Sequence, residues 1–109
     1  MKRTALLITV SLALAAGTTF AADAKDNWVK NCQKCHGADG KGQTIMGKKL
    51  KVKDYTDAKV QESFKDEEAF KLTKEGKKEG DKEVMPAYAD KLSDQEIKDL
   101  VGYVRKFKK

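Results

Sequence analysis

The chain is poor in the residues that build most disulfide and metal frameworks: among 109 residues there are two cysteines, one histidine, one proline and one tryptophan. Two cysteines permit at most one disulfide, so a multiply stapled secreted scaffold is excluded. A structural zinc site takes about four Cys, His or carboxylate ligands, and Cys32, Cys35 and His36 already exhaust the thiols and imidazoles. With a single proline there is no Pro-rich linker, and no internal repeat or low-complexity tract is visible. Alternating β-branched segments are scarce, which argues against a βαβ unit. The one long apolar run, Ala5 to Gly17, is broken only by Thr9 and Ser11. It falls well short of the roughly 20 residues that a helix crossing a bilayer needs.

What stands at the beginning instead is a three-part export pattern. Lys2 and Arg3 are positive, the apolar run follows, and the small residues Thr19 and Ala21 flank Phe20. That order predicts a secretory signal peptide over residues 1–21, cut after Ala21, with a mature domain over residues 22–109 delivered to the periplasm. The formal charge of +6, with 23 Lys and Arg against 17 Asp and Glu, becomes milder once Lys2 and Arg3 are removed. Such a surface fits a monomer that favours acidic protein partners, and it is far from a nucleic-acid-binding signature. Chains this short bury only about 60% of their unfolded surface and commonly need a disulfide, metal or large cofactor to complete the core.

Cys32-Gln33-Lys34-Cys35-His36 supplies such a cofactor site, because it has the spacing for covalent haem attachment. Each thiol adds to one haem vinyl group while the adjacent histidine faces the iron, so the macrocycle is fixed against the chain. A disulfide or a thioredoxin-like CxxC is the competing reading in an oxidising compartment. That motif, however, belongs to a βαβ unit, for which this chain offers hardly any alternating β-branched segments. A lone histidine is usually an ordinary surface or core residue; directly after CxxC it becomes a candidate ligand.

Because His36 is the only histidine, two histidines of one chain cannot hold the iron, and methionine sulfur or lysine nitrogen remains for its other face. Met1 leaves with the signal. Met85 precedes Pro86 in a loop-like stretch from Gly76 to Asp90, far enough from His36 to return across the haem, and Pro86 stiffens the chain there. Met46 lies in a segment with Gly37, Gly40, Gly42 and Gly47, where it is expected to line or cover the pocket. Met85 is thus the candidate sixth ligand. A thioether opposite an imidazole raises the reduction potential relative to harder donors.

The rest reads as helices joined by Gly-containing loops. The first is expected from about Asp23 to Cys35, stopping at Gly37. Two shorter helices follow, at about Asp57 to Phe64 and Asp66 to Lys74, the second placing Phe70 toward the haem or core. In the last, Ser93-Asp94-Gln95-Glu96 forms a capping box, and Ile97, Leu100, Val101, Val104 and Phe107 repeat at helical intervals. Gly102 within it costs about 1 kcal/mol against alanine, which a close crossing with the first helix explains.

CQKCHGADGKG, VMPAY and the terminal LVGYVRKF occur in the order found in class I c-type cytochromes, and over nearly all of the mature sequence the chain resembles the short bacterial members of that family. The resemblance implies an all-α cytochrome c fold of about four helices wrapped round one covalently attached haem c, with the first and last helices crossing. Trp28 and Tyr103 match packed aromatic positions of the family, and Gly102 its close contact. The family usually has a proline after a glycine in the segment that orients the proximal imidazole; here Lys48 follows Gly47. Tyr55 matches either a propionate-binding tyrosine or an ordinary loop tyrosine.

With both axial positions filled by His36 and Met85, iron binds substrate poorly, and outer-sphere electron transfer between redox partner proteins is the natural use rather than catalysis. Lys30, Lys34, Lys41, Lys48, Lys49, Lys51, Lys53 and Lys91 then either steer docking onto acidic partners or form an ordinary solvated surface. The alternative is a haem-based ligand sensor or peroxidase-type enzyme with a labile sixth ligand.

Overall fold

The computed structural model describes residues 20–109, with side chains from Asp23 onward. The export signal expected over residues 1–21 lies, but for its last two residues, outside them.

Six helical segments and one hairpin make up the described residues: α1 (Phe20–Asn31), α2 (Gln33–His36), α3 (Ile45–Leu50), α4 (Ala58–Glu62), α5 (Asp66–Glu75), β1 (Lys77–Glu79), β2 (Lys82–Met85) and α6 (Asp94–Arg105). The expected first helix is present but broken at Cys32, so α1 and α2 share its span. The break follows from the bonding: the Cys35 amide turns back to the Cys32 carbonyl at 3.3 Å, which ends the regular α1 ladder. α3, within the Gly-rich segment, was not expected; Thr44 caps it by accepting from the Gly47 amide at 2.8 Å. Asp57 caps α4 through the Lys59 amide at 2.8 Å. At α6 the capping box is formed as the sequence suggests, Ser93 Oγ accepting from the Glu96 amide and the Glu96 carboxylate accepting from the Ser93 amide.

The stretch from Gly76 to Asp90, expected to be loop-like, carries an antiparallel hairpin in which Lys77 pairs with Met85 and Glu79 with Lys82. Its strands are short and mostly exposed, so they lack the apolar alternation by which a strand is read from sequence.

The core lies where α1 packs against α6 and α5 against the same helix. Trp28, Cys32, Tyr88, Leu92, Ile97 and Leu100 form one buried cluster, with Ile97 at 0% exposure. Phe70 packs against this cluster, which decides its placement in favour of the core. Trp28 also meets Tyr103 and Phe107, with ring centroids 5.6 and 5.1 Å apart. Among the described residues Gly102 does not serve the helix crossing: it is exposed, and a Cβ there would meet none of them within 4 Å. The close approach to the end of α6 is made by Gly40 instead, where a Cβ would stand 2.7 Å from the Phe107 ring.

Candidate functional site

Cys32, Cys35 and His36 line a single cavity of about 520 Å³ together with Met85. Small-molecule and cofactor sites span about 300–1,000 Å³, so the space suits a large planar cofactor. Three hydrogen bonds fix the turn that presents the CxxCH residues. Trp28 Nε1 donates to the Gly37 carbonyl at 2.9 Å. Thr44 Oγ1 donates to the Cys35 carbonyl at 2.8 Å. Tyr88 Oη donates to the Asn31 carbonyl at 2.8 Å. The last joins the turn to the VMPAY segment, three residues from Met85, so one side chain holds together the two parts of the chain that carry the candidate ligands.

The two thiols are free, Cys32 buried and Cys35 half-buried. Burial, with a smaller contribution from the charge of Cys35, pushes the Cys32 thiol up to about 12. The attacking cysteine of a redox-active CxxC relies on a lowered thiol pKa, and Cys32 is not set up for that part. Burial pulls His36 below its ordinary value, which keeps the imidazole neutral, the form that ligates a metal. Its ring lies between Trp28 and Tyr55, with centroids 5.6 and 5.5 Å away. His36 Nδ1 is buried and makes no hydrogen bond with the described residues. The Lys48 carbonyl accepts from the Lys51 amide at 3.3 Å.

The expected site residues are therefore brought together, with one correction. Met46 is half-buried but does not line the cavity; α3 turns Lys49 and Leu50 toward it instead. Val52, Phe64, Val84, Val101 and Val104 provide apolar wall. Among the lysines read as a docking surface, Lys49, Lys51 and Lys53 line the cavity, joined by Lys77 and Lys82 from the hairpin. Lys30, Lys34, Lys48 and Lys91 are exposed and do not line it.

Sequence reasoning passed over Gln61, a buried polar residue whose amide donates to the Tyr55 carbonyl at 2.7 Å and the Val104 carbonyl at 2.9 Å. It also passed over Arg105, which donates to the Phe64 carbonyl at 2.9 Å and stands 4.2 Å from the centroid of the Phe64 ring. Only their distant partners reveal their use, and neither carries a local motif.

The residues present fit a covalently held haem: two thiols and an imidazole in one turn, a thioether sulfur from another segment, apolar walls, and a cationic edge able to meet carboxylates. Such a cavity inside an all-α wrap defines the class of c-type cytochromes. A family model described as cytochrome C oxidase, cbb3-type, subunit III matches residues 19–104. The chain belongs to this family and is a class I monohaem c-type cytochrome. The structure of the KustC0563 c-type cytochrome is similar at a TM-score of 0.69 and 34% identity, over 80% of this chain and 99% of that one. The c-type cytochrome XoxG from Methylobacterium extorquens AM1 is similar at a TM-score of 0.60 and 27% identity, over 82% of this chain and 50% of that one. Among curated proteins no sequence matches. Membership brings with it a haem c cofactor and an electron-carrier role.

Proposed function

We propose that the chain, exported and cut after Ala21, holds one haem c through thioether bonds to Cys32 and Cys35, with His36 and Met85 as axial ligands, and carries single electrons between periplasmic proteins. The observation that carries this reading is that all four side chains line the same cavity. The Cys32 and Cys35 thiols would hold the group through thioether bonds, an attachment that needs no oxidant. Once bound, the haem supplies a one-electron ferric/ferrous couple.

The chain's own residues account for the rest. Trp28, Thr44 and Tyr88 hold the CxxCH turn, His36 offers a neutral imidazole, and Val52, Phe64 and Val101 keep water from the macrocycle. A filled sixth position turns the iron away from substrate chemistry and toward electron exchange at the cofactor edge. Lys49, Lys51, Lys53, Lys77 and Lys82 beside the cavity favour partners with acidic docking surfaces, in encounters that weaken as salt rises. Among the described residues no helix is long and apolar enough to cross a membrane.

The decisive experiment is expression in a cytochrome-assembling host, followed by a pyridine haemochrome assay and a ferric spectrum. One covalently bound haem and a far-red sulfur-to-iron band that disappears in Met85→Ala are expected. Colourless material, or a band that survives the substitution, overturns the reading. Rapid carbon monoxide binding by the reduced wild-type protein turns it toward a ligand sensor or peroxidase.

A further inference from the structure

Gly76 stands at the base of the hairpin, between the end of α5 and the start of β1. Its backbone, at φ 77° and ψ 179°, occupies a region open essentially to glycine alone. The end of β2 returns directly onto it. A Cβ at Gly76 would stand 2.7 Å from the Met85 carbonyl oxygen, 2.8 Å from the Ala87 nitrogen and 3.0 Å from the Pro86 carbonyl carbon. All three are backbone atoms around Pro86, whose φ is fixed by its ring, so rotation of a side chain cannot relieve the collision.

Other bonds hold the same segment in place. Lys77 pairs with Met85 in the ladder. The Tyr88 and Ala89 amides donate to the Thr73 and Lys74 carbonyls at 3.1 and 3.2 Å. Those carbonyls belong to the last turn of α5, where a helix has no partners of its own to offer. Residues 85–89 are thus laid along the C-terminus of α5, and Gly76 is the gap that admits them.

We propose that Gly76 is a positioning residue for Met85: its missing side chain lets Met85-Pro86-Ala87 seat on the end of α5 and so holds the sulfur at the cavity. The proposal rests on Met85 as the axial ligand. The hairpin carries its own control, since Gly80 at the tip also has a positive φ, 61°, but a Cβ there meets nothing among the described residues within 4 Å. Substitution at either glycine strains the backbone; only the one at Gly76 strikes the ligand segment.

The test uses the haem-loaded protein. Gly76→Ala is expected to weaken or abolish the far-red sulfur-to-iron band and to speed carbon monoxide binding by about tenfold or more, within the range that such backbone strain is worth. The haemochrome content stays that of the wild type, and Gly80→Ala leaves both properties unchanged. Met85→Ala is measured alongside. If it retains the band, the ligand assignment falls and this proposal with it. If it loses the band while Gly76→Ala behaves as wild type, the positioning role alone is overturned. Should Gly76→Ala fail to accumulate, urea titration of the wild type replaces it. Loss of the band and exchange of the Tyr88 and Ala89 amides are then expected at one midpoint, and separate midpoints overturn the proposal.

Discussion

Tyr88→Phe isolates one hydroxyl that joins the two halves of the proposed haem site. In a continuous helix the Asn31 carbonyl would accept from the amide four residues on, that of Cys35, but this amide bonds Cys32 instead. Tyr88 Oη fills the gap at 2.8 Å. Phenylalanine keeps the buried ring and its contact with the Lys91 ammonium, 5.7 Å from the centroid. The loss is therefore the hydrogen bond, and because it strands a part-buried carbonyl it costs about 1–3 kcal/mol. A destabilisation of about 2 kcal/mol lies in the middle of that range. Urea unfolding of the haem-loaded protein, followed by far-UV circular dichroism, measures it. With slopes of about 1–3 kcal/mol/M the midpoint falls by roughly 1 M while the slope stays constant. A midpoint within experimental error of the wild type refutes the claim that this hydroxyl replaces the missing helical donor.

Ile97→Ala, at 0% exposure in the centre of the core, is expected to cost about 2–5 kcal/mol in the same urea assay. Arg105→Met removes the donors to the Gln61 and Phe64 carbonyls and is expected to cost about 2–3 kcal/mol. The ion pair with exposed Asp66 adds little to that figure, and Arg105→Lys rescues little because it lacks the planar fork. Hydrogen bonds from the Ser93 backbone, then from Asn27 and the Ser93 side chain, hold the Glu96 carboxyl below its ordinary value. Its folded pKa is depressed, so its contribution to stability is present above the ordinary glutamate range and is lost as pH falls through the folded value. Glu96→Gln removes that dependence, and urea midpoints of the two proteins should converge between neutrality and about pH 3.

What could be read in advance was what local chemistry dictates. The capping box at Ser93 and Glu96, the acidic opening of α5 and the periodic apolar face of α6 each rest on neighbours within a few residues, and all three appear in the fold. CxxCH and the methionine before Pro86 are likewise local, and they meet in one cavity. The hairpin was not legible, because Lys-Lys-Glu and Lys-Glu-Val-Met bury no alternating face and are held by the return onto α5. Gln61 and Arg105 were missed for a related reason: their value lies in carbonyls more than 40 residues away. Gly102 misled because a glycine in a helix signals either a crossing or nothing, and composition does not separate the two. Met46 misled because α3 was invisible, and that helix sets which side chains turn toward the cavity.

The same unexpected helix bears on how the iron would be tuned. A ligating histidine ordinarily gives its second nitrogen to an acceptor, which raises its basicity; proline-containing relatives, by the resemblance drawn from the sequence, present a backbone carbonyl near this point. Here Lys48 occupies the position and donates its amide to the Thr44 carbonyl at 2.9 Å, a bond proline cannot make. α3 can therefore close, and the Lys48 carbonyl is spent on the Lys51 amide while His36 Nδ1 finds no acceptor among the described residues. As an iron ligand, an imidazole so placed would be the weaker donor, which would favour ferrous over ferric iron. Lys48→Pro breaks the Thr44 bond, loosens the last turn of α3 and frees the carbonyl for His36. Spectroelectrochemistry of the haem-loaded variant should show a lower midpoint potential than the wild type, with slower exchange of the His36 Nδ1 proton by NMR. A potential that stays constant or rises while that proton gains protection breaks the link between the helix and the ligand.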